Sequence, residues 1–397
     1  MSAEAMPMTD SPLDKVTMLG VLLFGFALAV PAFVTYRPSR IVRGEPLSAL
    51  ESAGPAFWAL VALLLVMALA ATSRGSVLRG MPTALVGAVA AATVVWVVGL
   101  AAQGLVTSEA PYARVSLSAG FWLALFGAYL VVVGGLRGYG GAGSAALSVG
   151  IMPLASVAVM LVAGHLDDLS IMREFFNRRG SFLSELSTHV TLSFSAVGAG
   201  TVIGLILAFV IFRYVATERY LFFFVNLFQT IPTLSFLGLL MAPLAFLAAR
   251  YAFLRGFGIS AIGWAPAFIV LFAYTLLPVT SNALAGFRIV EPRVLEAARG
   301  MGMTGNQVFW RIQLPLALPV IVSGVRTALT QAIGNTILAG LIGGGGMGTI
   351  IFLGLAQAAP DLILLGTIPV VILALVADYA MKGLSEMLSR SLLRGSQ

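Results

Sequence analysis

Apolar runs recur along the whole chain, and short segments between them hold almost all of its charge. Crossing a hydrocarbon layer roughly 30 Å thick takes about 20 helical residues. Runs of that order occupy residues 16–36, 56–72, 82–104, 115–135, 144–163, 187–212, 220–246, 262–284, 316–338 and 362–382. The run at 187–212 is the cleanest, because the 27 residues between Glu185 and Arg213 carry no formal charge when His189 is neutral. The run at 56–72 is short, and prolines interrupt those at 144–163 and 220–246. The pattern predicts about ten transmembrane helices in an all-α polytopic membrane protein. The first run passes into AVPAFVTYRPSR without a small-residue cleavage site and reads as a retained helix.

The polar segment HLDDLSIMREFFNRRGSFLSEL, His165 to Leu186, divides the chain with five runs on either side. It carries seven formal charges, Asp167, Asp168, Arg173, Glu174, Arg178, Arg179 and Glu185. The division gives a membrane region at 1–164, a connector at 165–186, a second membrane region at 187–385 and a cytoplasmic tail at 386–397. The connector is either a plain link or an interfacial helix with Leu169, Met172, Phe175 and Phe176 on its apolar side.

Composition narrows the class. The chain is 59% hydrophobic and 10% charged, with mean hydropathy +1.00, whereas soluble domains are about a quarter charged. The net charge of +7 comes from 21 Arg and 2 Lys against 16 acids. No basic patch is interleaved with aromatics, so the excess records topology and not nucleic-acid binding. Placing the Glu296 segment in the cytoplasm puts both termini there. Thirteen basic residues then lie inside and nine outside, with Arg326 within a span. The outside set includes Arg37, Arg40, Arg43, Arg178 and Arg179, so the bias is modest. With no Cys and only two His, disulfides, thiolate metal sites and a histidine-rich metal centre are excluded. Arg326 lies about 15 Å of helix beyond Leu316. It snorkels, pairs with a carboxylate such as Asp378, or faces the cytoplasmic end of a pathway.

The charged segment 288–315 interrupts the second region, and from Val290 it reads VEPRVLEAARGMGMTGNQVFWRIQLPLALP. Pro292 suits a first helical turn, Gly300, Gly302 and Gly305 end or bend that helix, and Thr304 caps a second one. Arg293 and Arg299 offer charge, the glycines let another surface approach closely, and Phe309 and Trp310 offer bulk to insert. A cytoplasmic hairpin and a docking element both fit this shape.

The spacing Glu-Ala-Ala, three residues, Gly, nine residues, Ile, one residue, Leu-Pro is met by Glu296, Ala297, Ala298, Gly302, Ile312, Leu314 and Pro315. It resembles the coupling-loop signature of the permeases of binding-protein-dependent ABC importers. The segments LFQTIPTLSFLGLL (227–240), AYTLLPVTSNALAGF (273–287) and QAIGNTILAGLIGGGGMG (331–348) resemble permeases for glycine betaine, choline, proline and related osmoprotectants. The likeness covers about residues 187–385, and the extra N-terminal half looks like a long branch of that family.

The resemblance implies a type I ABC importer permease fold in the second half. It also implies a cytoplasmic docking helix at Glu296–Gly302 for an ABC ATPase dimer, and a second permease, identical or shorter. An extracytoplasmic substrate-binding protein and a place in the bacterial inner membrane follow with it. ATP and Mg would be bound by the ATPase and no cofactor by this chain, so the chain itself is not expected to be an enzyme.

Polar residues punctuate the spans of this region: Asn226, Gln229, Thr230, Pro232 and Thr233, then Thr275, Thr280, Ser281 and Asn282, then Gln331, Asn335 and Thr336. Such groups either glue helices together or line a wet cavity. As a set they suggest a weakly polar translocation pathway. Phe228, Phe236 and Tyr274 are candidates for facing a quaternary ammonium group, and a lipid-facing role fits them equally. Gly343, Gly344, Gly345 and Gly346 form a flexible or tightly packed loop at the external mouth. No Lys-Ser or Lys-Thr follows them, so they are not a phosphate-binding loop. Two alternatives stand beside the importer. An ion-coupled secondary transporter would use the five-plus-five division, and a membrane scaffold would need only the hydrophobicity.

Overall fold

The structure is a computed structural model, and it describes residues 14–39, 42–72, 80–139 and 143–394. Arg40, Arg74, Arg79 and residues 395–397 of the expected tail lie outside the described residues. The chain forms two compact units, Met1–Asn177 and Arg178–Gln397.

In the first unit, α1 (Lys15–Ala29) leads into two strands, β1 (Val34–Arg37) and β2 (Glu45–Leu47). A short α2 (Ala49–Ala53) follows, then α3 (Phe57–Thr72), α4 (Met81–Leu105), β3 (Arg114–Leu117), α5 (Ala119–Tyr139), α6 (Ser144–Val162) and α7 (Ser170–Asn177). The strands form one antiparallel sheet in the order β2-β1-β3, with Val34 opposite both Leu47 and Leu117. The run expected to be helical over 16–36 therefore ends at Ala29, and the one expected from 115 starts at Ala119. VTYR alternates β-branched or aromatic residues with polar ones, and RVSL sets Val115 and Leu117 between polar ones, which favours strand pairing. Close helix contact rests on small residues, as membrane bundles require. A Cβ on Gly20 would stand 2.6 Å from the Gly127 carbonyl oxygen, and one on Gly127 would stand 2.7 Å from that of Gly20. That pair lets α1 and α5 touch backbone to backbone.

In the second unit, α8 (Arg179–Arg213) is one 35-residue helix. It takes in the last eight residues assigned above to the connector, so only α7 and its flanks remain between the apolar helices. The expected single span at 220–246 is two helices, α9 (Glu218–Thr230) and α10 (Thr233–Arg250), broken at Ile231 and Pro232. A small α11 (Ala252–Gly256) precedes α12 (Trp264–Arg288). Next come α13 (Pro292–Gly300), α14 (Gly305–Val308), one π turn (Phe309–Gln313) and α15 (Leu314–Asn335). A 3₁₀ segment (Thr336–Ile342) leads to α16 (Gly348–Ala356), which the sequence reading did not anticipate, and to α17 (Pro360–Arg394). The expected tail from 386 is thus a continuation of the last apolar helix through Arg394.

Among the described residues nine helical stretches are long and apolar enough to cross a membrane, and α1 at 15 residues is a shorter apolar helix. α9 is not among the nine, because its 13 residues are too few to cross. The architecture remains an all-α polytopic membrane protein with one small sheet.

Candidate functional site

Two contacts define the ends of the second unit. Arg288 at the end of α12 binds Glu218 at the start of α9 through two bonds, 3.1 Å from Nη1 to Oε1 and 2.7 Å from Nη2 to Oε2. The Arg213–Glu218 turn and the Glu296 segment therefore share one end. Gly263 donates to the Ile342 carbonyl at 2.8 Å, which puts the glycine loop at the other end.

The Glu296 segment is built from its caps. Pro292 occupies the first turn of α13, where its missing N–H leaves no bond unmade. The helix closes with Met303 N–H donating to the Ala298 carbonyl at 3.2 Å and Gly302 N–H to that of Arg299 at 2.9 Å. This is the Schellman pattern, and its left-handed position is Gly302, with φ of +83°. A Cβ added to Gly302, Gly300 or Gly305 would meet nothing within 4 Å. Within this chain the demand at Gly302 is thus on the backbone and not on space. Thr304 caps α14 reciprocally with Gln307, whose side chain accepts from the Thr304 amide at 2.8 Å.

Glu296, Ala297 and Gly302 are exposed, whereas Ala298 is buried and Ile312, Leu314 and Pro315 are half-buried. Pro315 lacks the N–H that would bond the Arg311 carbonyl, and its ring would crowd that oxygen. The π turn just before it widens the helix at that point. Phe309 points inward. It is 8% exposed, and its ring lies 5.0 Å from Phe209, 6.0 Å from Phe212 and 5.3 Å from Phe287. The expectation that Phe309 and Trp310 offer bulk outward holds only for Trp310, which is 63% exposed. Phe309 instead ties the segment to α8 and α12.

The polar candidates divide. Pro278 deprives the Tyr274 carbonyl of its helical donor, and Gln229 supplies one from Nε2 at 2.6 Å. The break at Ile231 turns that residue's carbonyl out of the helical ladder, and the Tyr274 hydroxyl donates to it. Two proline breaks therefore fill each other's vacancies, which a membrane interior demands of any freed carbonyl. Around them Phe228 and Phe236 stack at 5.8 Å, and Phe236 meets Tyr274 at 6.2 Å.

Thr233 and Asn335 line one narrow crevice with Leu237 and Ala339. Asn282 donates to the Pro278 carbonyl in its own helix at 2.8 Å and packs where a Cβ on Gly324 would sit. Asn226 and Thr230 are exposed on α9, the Thr230 hydroxyl donating to the Leu227 carbonyl, and Gln331 is half-buried.

The glycine loop is tightly held. Gly343, Gly345 and Gly346 all have positive φ, and a Cβ on Gly344 would lie 2.9 Å from the Gly263 carbonyl oxygen. His189, fully buried in α8, holds this end together, a role that its sequence context did not reveal. Its Nε2 lies 3.0 Å from the Ile333 carbonyl and its Nδ1 3.3 Å from the Met347 amide. A carbonyl only accepts and an amide N–H only donates, so the ring is the neutral Nε2–H tautomer. Arg326 is paired with Asp378, through Nε to Oδ1 at 2.5 Å and Nη2 to Oδ2 at 2.7 Å. That bidentate pair joins α15 to α17.

A family model described as binding-protein-dependent transport system inner membrane component matches residues 200–394. Another, described as ABC transporter permease YehY, N-terminal domain, matches residues 14–172. The choline transport system permease protein OpuBB of Bacillus subtilis is 36% identical over 51% of this chain and 86% of its own length. The chain belongs to the permeases of binding-protein-dependent ABC importers.

Other relatives of the permease carry related names. The glycine betaine/carnitine/choline permease OpuCB of the same bacterium is 34% identical over 51% of this chain and 86% of its own. The osmoprotectant import permease OsmW of Salmonella typhimurium is 32% identical over 51% and 88%. Among solved structures, an inward-facing MetNI methionine ABC transporter chain aligns with TM-score 0.46 at 20% identity, covering 53% of this chain and 98% of that one. The permease is a transporter component and a multi-pass protein of the bacterial inner membrane.

Proposed function

We propose that the permease forms, with a second permease, the translocation pathway for glycine betaine or a related quaternary-ammonium compatible solute, and that a separate ABC ATPase drives it. The ATPase docks on the Glu296–Gly305 segment. A binding protein delivers the solute at the opposite end, where the glycine loop sits. ATP and Mg belong to the ATPase, and the work of this chain is to convert closure below into rearrangement of the helices above.

The observation that carries this reading is the open face of the Glu296 segment. Ala297, Gly300 and Gly302 are exposed, a Cβ on either glycine would meet nothing within 4 Å, and Met301 is 76% exposed beside them. An apolar side chain among small residues at a charged end of a bundle suits a partner that fits closely over it. Phe309 gives the docked segment a packed route to α8 and α12. The solute class follows the names of the relatives and the aromatic cluster of Phe228, Phe236 and Tyr274.

The test is ATP-dependent uptake of labelled glycine betaine by vesicles containing the permease, its ATPase and the loaded binding protein, beside an Ala297→Trp variant. The variant is expected to insert normally but to lose both ATPase association and uptake. ATP-driven uptake of another solute would discard betaine and keep the importer. Full association and uptake in the variant would overturn the docking assignment.

A further inference from the structure

The end of the first unit that carries the sheet is assembled from three separate loops. The β1–β3 ladder sets residues 34–37 beside 114–117, and a bridge between Val115 and Leu169 adds the segment leading into α7. Counting crossings from the cytoplasmic Glu296 segment, this end is extracytoplasmic. Tyr112, Arg114, Asp167, Arg173 and Phe176 line a cavity of about 350 Å³ there, within the size range of small-ligand sites.

Its charged walls are braced. Arg173 donates from Nη1 to the Ala113 carbonyl at 2.9 Å and from Nη2 to that of Pro111 at 2.6 Å. A guanidinium has five N–H donors, so these two bonds orient the group and leave further donors beyond them. Arg114 lies 3.5 Å from Glu174, which is 3% exposed. Arg37 stands directly opposite Arg114 in the ladder, and the Glu174 carboxylate beside Arg114 offsets that pairing of like charges. Tyr112 at 78% exposure and Phe176 at 51% offer ring surface at the rim, and Asp167 contributes a carboxylate to the same wall.

We propose that this cavity binds a small zwitterion. Its carboxylate is received by the Arg173 guanidinium, while Arg114 lies in the wall held by the buried Glu174, and its substituted ammonium is received by Asp167 and the rings of Tyr112 and Phe176. A bare anion would meet the Asp167 carboxylate, and a bare cation would meet the Arg173 guanidinium. Only a molecule bearing both charges satisfies the two walls together. The ligand class is that of the solute proposed above, but the site stands on the first unit and needs no passage through the second.

The test is equilibrium binding of labelled glycine betaine to the full-length permease in lipid nanodiscs, without ATPase or binding protein. Saturable binding is expected, displaced by proline and not by choline or acetate at equal concentration. Tyr112→Ala and Asp167→Asn are each expected to weaken it about tenfold, one lost cation contact apiece. Both residues lie outside the Arg173 brace, so these variants keep the loops in place, and Arg173→Gln is the harsher third. Absence of saturable binding at millimolar solute, binding indifferent to both mild variants, or equal displacement by choline would overturn the proposal. Uptake by the complete transporter reports separately. Uptake without this binding overturns only the present site, and binding without uptake overturns only the import reading.

Discussion

Gly302 closes α13 with φ of +83°, and a Cβ added there would meet nothing within 4 Å. Substitution should therefore cost backbone strain alone. A left-handed conformation costs an L-residue about 1–2 kcal/mol, which converts to a factor of roughly 5–30 in an opening equilibrium. Asn tolerates this conformation better than Ala, and a β-branched residue tolerates it least.

The assay is hydrogen exchange at the Met303 amide, which bonds the Ala298 carbonyl across the cap, in permease without its ATPase. Protection should fall in the order Gly, Asn, Ala, Val, with Ala about 5–30-fold below Gly. An order by size, with Asn less protected than Ala, would refute the reasoning, because it would mean that space and not φ governs the position. Equal protection in all four would refute it as well. The same series measured for ATPase association separates the two roles of the residue. A partner approaching closely penalises Asn more than Ala, even where the cap prefers Asn.

The remaining predictions concern the packing around this element and at the far end. Phe309→Ala removes a ring from a four-phenylalanine cluster, a change costing about 3–5 kcal/mol in a close-packed core. ATPase association should persist while uptake falls sharply, and normal uptake would sink the transmission role. Tyr274→Phe leaves the Ile231 carbonyl without the hydroxyl that serves it, so thermal unfolding should show a loss of about 1–3 kcal/mol; an unchanged midpoint would count against the reciprocal fill.

Arg288 hydrogen-bonds the Glu218 carboxylate and holds its pKa below the ordinary value of 4.5. The stability it adds is therefore fully present above pH 4.5 and lost as pH falls through the lowered value. The difference in melting temperature between the native chain and Glu218→Gln should be constant near neutrality and vanish in acid. A difference that grows in acid would contradict the sign. Gly348→Ala would place a Cβ 1.8 Å from the Ile337 carbonyl oxygen, and membrane insertion with normal melting would show that this turn is far looser than described.

Much of the second unit is legible in the sequence because its causes are local. Long uncharged runs have to be helices in a solvent that offers no hydrogen bonds, so α8, α12, α15 and α17 announce themselves. The Gly302 stop and the Thr304 cap need only neighbours within five residues. The seven-position pattern from Glu296 to Pro315 is similarly local, and it marks the family before any fold is known.

Tertiary structure decided what depends on distant partners. The strands β1 and β3 are too short to declare themselves without each other, and 83 residues separate Thr35 from the Ser118 hydroxyl that it meets. The proline breaks at 232 and 278 are visible as prolines. That Gln229 would serve the Tyr274 carbonyl and the Tyr274 hydroxyl that of Ile231 is a matter of how α9, α10 and α12 lie together. Arg326 had three destinations on paper, and the approach of α17 selected Asp378. Phe309 and Trp310 are adjacent bulky residues, and only the position of α8 and α12 makes one an anchor and leaves the other outside. The sequence by itself determines where the backbone must satisfy its own hydrogen bonds. Which side chains complete the bonds it cannot make depends on helices brought together from far along the chain.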